Sequence, residues 1–226
     1  MRQQNRLPYT NVLSRFKNPF LGSEHLESTW TINELGRMYR HRGDFVGAAE
    51  LHRRALRILS RYLPTDHLEI VWTENTLARA ERKQGRPEYA LALHTRAYEV
   101  RRRVLGERHP HTLWVLGDMA MCHRAIGQLE MAASCHRLAV EGRTLALGHN
   151  HPDTLWSIND RGKVLTKQGK YSEALALQLK ALALQSTVLG PKHEHTAWTR
   201  KEVDELRLLE LKRMRPSIDS HLSIEV

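Results

Sequence analysis

Five tryptophans, Trp30, Trp72, Trp114, Trp156 and Trp198, stand at a constant interval of 42 residues, and they are all the tryptophans the chain has. A phrase recurs with them, fullest as His151-Pro152-Asp153-Thr154-Leu155-Trp156 and again as His109-Pro110-His111-Thr112-Leu113-Trp114. It fades in His25…Trp30, His67…Trp72 and His193…Trp198. A repeat without insertion or deletion constrains the fold more than any composition does. One supersecondary unit must be used several times over, and each copy must bury its apolar face against its neighbours.

Two helices are legible in each unit. First helices are predicted at residues 28–42, 68–84, 110–126 and 152–168. Each stops at a glycine, Gly43, Gly85, Gly127 or Gly169, the residue that accepts the left-handed turn of a helix C-terminus. Pro110 and Pro152 suit the first turn, where the backbone N–H has no partner in any case. Second helices are predicted at 45–61, 87–104, 129–146 and 171–188, each closed by Leu-Gly or, at Leu63-Pro64, by Leu-Pro.

Small residues recur where the helices must approach: Gly36, Ala78, Ala120 and Gly162, then Ala48, Ala90, Ala132 and Ala174, then Ala55, Ala97, Ala139 and Ala181. Leu35, Leu77, Met119, Leu51, Leu93 and Leu177 flank them, the small–large interdigitation that close packing demands. The expected fold is all-α: a right-handed α-solenoid of tandem antiparallel helix hairpins over residues 21–214. Its repeats fall at about 25–66, 67–108, 109–150 and 151–192, with a C-terminal capping helix over 193–214. There Trp198 keeps the register but Asp204 replaces the small residue, and Arg215-Pro216 is expected to end the helix before a tail at 215–226.

The chain opens differently. Residues 1–20 carry Arg2, Arg6, Arg15 and Lys17 and no acid, with Pro8, Asn11, Asn18 and Pro19 as helix breakers. They read as a basic, disordered arm, or alternatively as a short helix over 11–17 capping the first repeat. Leu21-Gly22 matches Leu105-Gly106, Leu147-Gly148 and Leu189-Gly190. It reads as the end of a repeat whose body is missing, and the expectation is either descent or excision from a longer array or a degenerate N-terminal cap.

The charge of +10, from 35 basic and 25 acidic residues, favours acidic partners: peptides, nucleic acid or an anionic membrane. No apolar run approaches the roughly 20 residues of a membrane span, and no apolar stretch follows Arg2 and Arg6 as a secretory signal would require. Cys122 and Cys135 stand outside the repeat and make no disulfide framework, so a reducing, cytoplasmic setting is expected. The joint pairs His109 and His111, His149 and His151, and His193 and His195 offer two imidazoles where a closed zinc site needs about four ligands. Recurrence of the joint's first histidine instead predicts a hydrogen bond that stabilises the turn. Cys122 beside His123 lacks a visible third orienting group. Neither a cofactor nor catalysis is expected.

The skeleton of a small residue, an alanine 12 positions on and another 7 beyond resembles the tetratricopeptide repeat. The general form has about 34 residues. The 42-residue form with a Leu-Gly…His-Pro-x-Thr-Leu joint looks like the kinesin-light-chain type, over about residues 21–200. The family's asparagine pair is half kept: Asn33, Asn75 and Asn159 remain, Gly117 replaces the third, and the second members have become Glu34, Thr76, Asp118 and Asp160. Glu74 and Glu81 stand at positions usually apolar, and Arg161 replaces a core leucine.

The resemblance implies that first helices line a concave peptide-binding groove. Carried over by position, its residues are Trp30, Asn33, Arg37, Arg40 and His41, then Trp72, Asn75, Arg79, Arg82 and Lys83. The third unit gives Trp114, Gly117, Met121, Arg124 and Ala125, and the fourth Trp156, Asn159, Lys163, Thr166 and Lys167. Eight of these 20 positions are Lys or Arg and none is Asp or Glu, which points to an acidic or phosphorylated protein segment held along a basic groove by a non-catalytic scaffold. The tryptophans are either stacking platforms in that groove or structural, each packing against the next hairpin's joint. Alternatives are a nucleic-acid-binding helical repeat and the sensing tail of a larger nucleotide-binding regulatory protein. The chain itself has no Gly-x4-Gly-Lys-Ser/Thr loop.

Overall fold

The computed structural model describes residues 25–222, with side chains to Arg213; residues 1–24, which hold the expected arm and the Leu21-Gly22 stop, and 223–226 lie outside it. The described residues form nine α-helices and no strand. They are α1 (Ser28–His41), α2 (Phe45–Leu59), α3 (Leu68–Lys83), α4 (Pro87–Leu105), α5 (Pro110–Ile126), α6 (Leu129–Leu147), α7 (Pro152–Lys167), α8 (Tyr171–Val188) and α9 (Glu194–Leu222). They pack as two compact units, one ending at Val100 and the other starting at Arg101.

The punctuation read from the sequence is what ends and starts these helices. Gly43, Gly85, Gly127 and Gly169 take φ of +86°, +83°, +87° and +74°, which an L side chain would resist. Nδ1 of His67, His109, His151 and His193 accepts the backbone N–H two residues on, at 3.2 Å in each case. The joint histidine therefore caps the N-terminus of the following first helix, as an Asn or Ser does elsewhere.

Two boundaries differ from expectation. α2 ends at Leu59, two residues before the expected 61. α9 runs on through Pro216 to Leu222. A proline inside a helix removes one backbone bond and does not by itself end it.

In the first unit Ala48, Ala49, Leu77 and Ala80 form a buried cluster, with Leu56 and Leu93 against it, so α2, α3 and α4 share one core. The second unit repeats the arrangement. Ala120, Ala132, Cys135 and Val164 join α5, α6 and α7, and Leu165, Ala174 and Leu206 join α7, α8 and α9. α3, α7 and α9 are thus each covered by the second helix that precedes them. Every alanine of the repeating skeleton is fully buried.

A polar layer runs through these cores. Asn33 Nδ2 donates to Thr73 Oγ1 at 2.9 Å, tying α1 to α3, while His52 Nδ1 donates to Asn33 Oδ1 at 2.9 Å, tying α2 to α1. In the second unit Asn159 Nδ2 donates to Thr199 Oγ1 at 2.8 Å, and Gln178 stands where the histidine would, its Nε2 donating to the Asn159 carbonyl at 3.2 Å. Each buried donor named here meets an acceptor, as a buried polar group must if it is not to destabilise the core.

Candidate functional site

In the first unit α1 and α3 carry the candidate residues. Trp30, His41 and Lys83 are exposed; Arg37, Arg40, Trp72, Arg79 and Arg82 are half-buried. Arg37 pairs with Glu34 at 2.8 Å, a partly exposed contact of the kind that contributes at most about 1 kcal/mol. The acids of α3 are drawn elsewhere. Glu74 pairs with Arg96 of α4, and Glu81 with Arg53 of α2 and, at 2.8 Å, with Arg86. Glu81 itself is fully buried. The two acids that looked misplaced for a core are thus neutralised by second-helix and turn arginines, while Arg79, Arg82 and Lys83 gather at the end of α3.

His52 lies beneath this surface. Burial, then the charges of Arg40 and Arg37, lower its pKa from 6.5 to about 4. A proton on its Nε2 would also be enclosed without an acceptor among the described residues. Arg37 and Arg40 therefore project positive potential toward one common region of α1 and α2.

The second unit is less one-sided. Lys163 pairs with Asp160 at 3.0 Å and sits 3.8 Å from the ring centroid of Trp198, a cation–π contact. Arg124 is half-buried and Lys167 exposed. Burial lowers the pKa of His136 to about 4, against the pull of Asp160 and with the help of Arg124, Arg143 and Lys163.

Asn33, Asn75 and Asn159 are 1%, 4% and 3% exposed. Placed in the groove by the sequence reading, they lie beneath the surface, engaged in helix–helix hydrogen bonds. Their spacing put them on the inner side of the first helices, but for Asn33 and Asn159 the next first helix covers that line, and Asn75 is taken up by His94 of its own second helix. Trp114 and Trp156 are exposed, and each meets a histidine edge-on: Trp114 against His111 at 5.4 Å, Trp156 against His195 of the following joint at 5.0 Å. Trp156 thus packs on the next joint while keeping a face open.

A buried histidine series was missed. His52, His94 and His136 recur at 42 residues on second helices, and the repeat itself was the available signal. Cys122 and Cys135 are buried free thiols, and His123 pairs with Gln128 at 2.7 Å. Among the described residues no three His, Cys, Asp or Glu converge as a metal site, and no helix is long and apolar enough to cross a membrane.

The tetratricopeptide repeat model matches four overlapping stretches, residues 26–103, 69–145, 120–187 and 153–203. Solved structures with a similar fold include a Podosopora anserina protein described as a kinesin light chain with nearly identical TPR-like repeats. It is 23% identical, the match covers 85% of this chain and 91% of that one, and the TM-score is 0.74. BtubC (BKLC) from P. vanneervenii is 16% identical over 95% of this chain and 93% of that one, with a TM-score of 0.69. A Rap protein complexed with competence and sporulation factor is 12% identical over 92% of this chain and 56% of that one, also at 0.69. At these identities the likeness is one of fold. No curated protein sequence matches the chain.

Proposed function

The chain belongs to the tetratricopeptide repeat family, whose fold is typical of protein-interaction scaffolds, and on that premise we propose that it binds a protein partner without catalysis. The ligand is an acidic or phosphorylated segment, and its seat is the first unit's surface of Arg37, Arg40, Arg79, Arg82 and Lys83 with Trp30 and Trp72 beside them. Guanidinium groups suit carboxylates and phosphates because they donate in a fixed fork, and a half-open indole offers an apolar anchor.

The observation that carries this reading is the division of charge on α3. Glu74 and Glu81 are paired with arginines from α2, α4 and the turn between α3 and α4, while Arg79, Arg82 and Lys83 stand together on the last turns of the same helix. In the second unit Lys163 pairs with Asp160 and lies over the Trp198 ring, and fewer basic candidates stand together there than in the first. Two buried thiols without a disulfide fit the reducing setting in which such a scaffold would work.

The test is a pull-down from native lysate at physiological salt, with Arg79→Glu, Arg82→Glu and Lys83→Glu combined as the control. Proteins that share an acidic segment and are lost with the triple variant support the proposal. Recovery dominated by nuclease-sensitive RNA or DNA overturns it in favour of a nucleic-acid ligand.

A further inference from the structure

An apolar stripe runs along the outside of α6. Met131, Leu138 and Leu145 follow one another at intervals of seven residues. Seven residues are about two helical turns, so the three lie on one side of the helix over about 21 Å. They are 52%, 44% and 68% exposed. The packing of the hairpin takes a different side of α6, where Ala132, His136, Ala139 and Arg143 are buried.

The repeat shows what these positions hold elsewhere. At 42-residue intervals the counterparts of Leu138 are Arg54, Arg96 and Lys180, and those of Leu145 are Arg61, Arg103 and Thr187. Met131 corresponds to Gly47, Tyr89 and Glu173. Among the described second helices only α6 is apolar at all three. The same hairpin is thus built with charged residues at Leu138 and Leu145, so the fold does not require leucine there. A contiguous apolar patch left open to water without a packing reason marks an interaction surface.

The stripe is its own complement. Leu138 stands midway between Met131 and Leu145. Two copies of α6 laid antiparallel about a two-fold axis at Leu138 bring Leu138 against Leu138 and Met131 against Leu145. That makes three apolar rungs in the seven-residue period that keeps paired helices in contact. The charges beside the stripe fit the same register. Ser134, Arg137 and Glu141 are exposed on one side of it, and Arg137 pairs with Glu141 at 3.0 Å within the copy. Under the two-fold this side meets its own counterpart running in reverse. Glu141 of one copy then comes level with the stretch from Ser134 to Arg137 of the other, where a hydroxyl and a second guanidinium can donate to it. We infer that the chain pairs with a second copy of itself through α6, antiparallel and centred on Leu138. Three rungs make a small interface, so the dimer dissociates at concentrations on the order of micromolar.

The test is sedimentation velocity of the full chain from about 1 to 100 μM, beside a variant carrying Leu138→Lys and Leu145→Arg. These substitutions install residues that other hairpins hold in the same register, so helicity and the denaturation midpoint should stay as they are. The wild type should pass from monomer to dimer as concentration rises, and the variant should raise the dissociation constant about ten-fold or more. A wild type that stays monomeric throughout overturns the inference, and so does a variant that dimerises as tightly. The register is read by cross-linking, the native Cys122 and Cys135 being buried. Leu138→Cys should link copy to copy on mild oxidation, whereas Met131→Cys, which faces Leu145, should not. Equal linking by the two overturns the antiparallel pairing.

Discussion

His52 Nδ1 donates to Asn33 Oδ1 at 2.9 Å, and 42 residues on His94 Nδ1 donates to Asn75 Oδ1 at 2.8 Å. The same bond thus ties the second helix to the first in two successive hairpins, with all four residues buried. In the third hairpin the asparagine is replaced by Gly117, so no asparagine stands opposite His136; a Cβ on Gly117 would meet nothing within 4 Å.

Asn33→Leu should therefore destabilise the fold by about 1–3 kcal/mol, since it orphans a buried imidazole N–H. Gly117→Asn should stabilise it by about 1 kcal/mol, by restoring the partner and by removing a flexible residue from mid-helix. Urea unfolding of both variants checks the pair. Opposite signs are expected, and two losses would show that the bond is incidental to stability.

The buried histidines set a pH dependence. His52 and His136 each stand at about 4 in the fold against an ordinary 6.5, burial being the main cause for both. Between those values the unfolded chain binds protons that the fold refuses. Their contribution to stability is therefore complete above about pH 6.5 and falls away as pH drops toward 4. Gln178 holds the same position in the fourth hairpin without titrating. Combining His52→Gln with His136→Gln should flatten the loss of unfolding free energy between about pH 7 and pH 4.5. An unchanged slope would place the titration elsewhere.

Glu81 predicts an asymmetry. Its carboxylate is fully buried and meets Arg53 and Arg86, whose side chains are 37% and 50% exposed. Replacing both arginines by methionine strands a buried charge and should cost about 3–5 kcal/mol. Glu81→Gln leaves two arginines that reach water and should cost distinctly less. Denaturation midpoints with unchanged m-values measure both, and the reverse order would contradict the pairing.

The repeat made the architecture legible because its marks are local and physical. Gly43 and Gly85 must take positive φ, the joint histidines must cap, and the alanines must lie where helices touch; each follows from residue type and interval. What stayed hidden was polar and tertiary. Asn33 and Asn159 look like groove amides until the next first helix is laid across them. His52 and His94 look like ordinary polar side chains until their shared interval is matched with that of the asparagines. Glu81 reads as a flaw until Arg53 and Arg86 arrive from other elements. The continuation of α9 past Pro216 was hidden for a different reason: a proline weakens a helix without dictating where it stops.

The basic surface of the first unit is tested most directly by titrating a fluorescein-labelled peptide of alternating glutamate and phosphoserine runs, read by anisotropy. The wild-type chain is set against Arg79→Glu, Arg82→Glu and Lys83→Glu combined. The account predicts saturable binding by the wild type that weakens with added salt, and a loss of at least about ten-fold, 1.4 kcal/mol, in the triple variant. Helicity should be unchanged. A triple variant that binds as tightly as the wild type would contradict it.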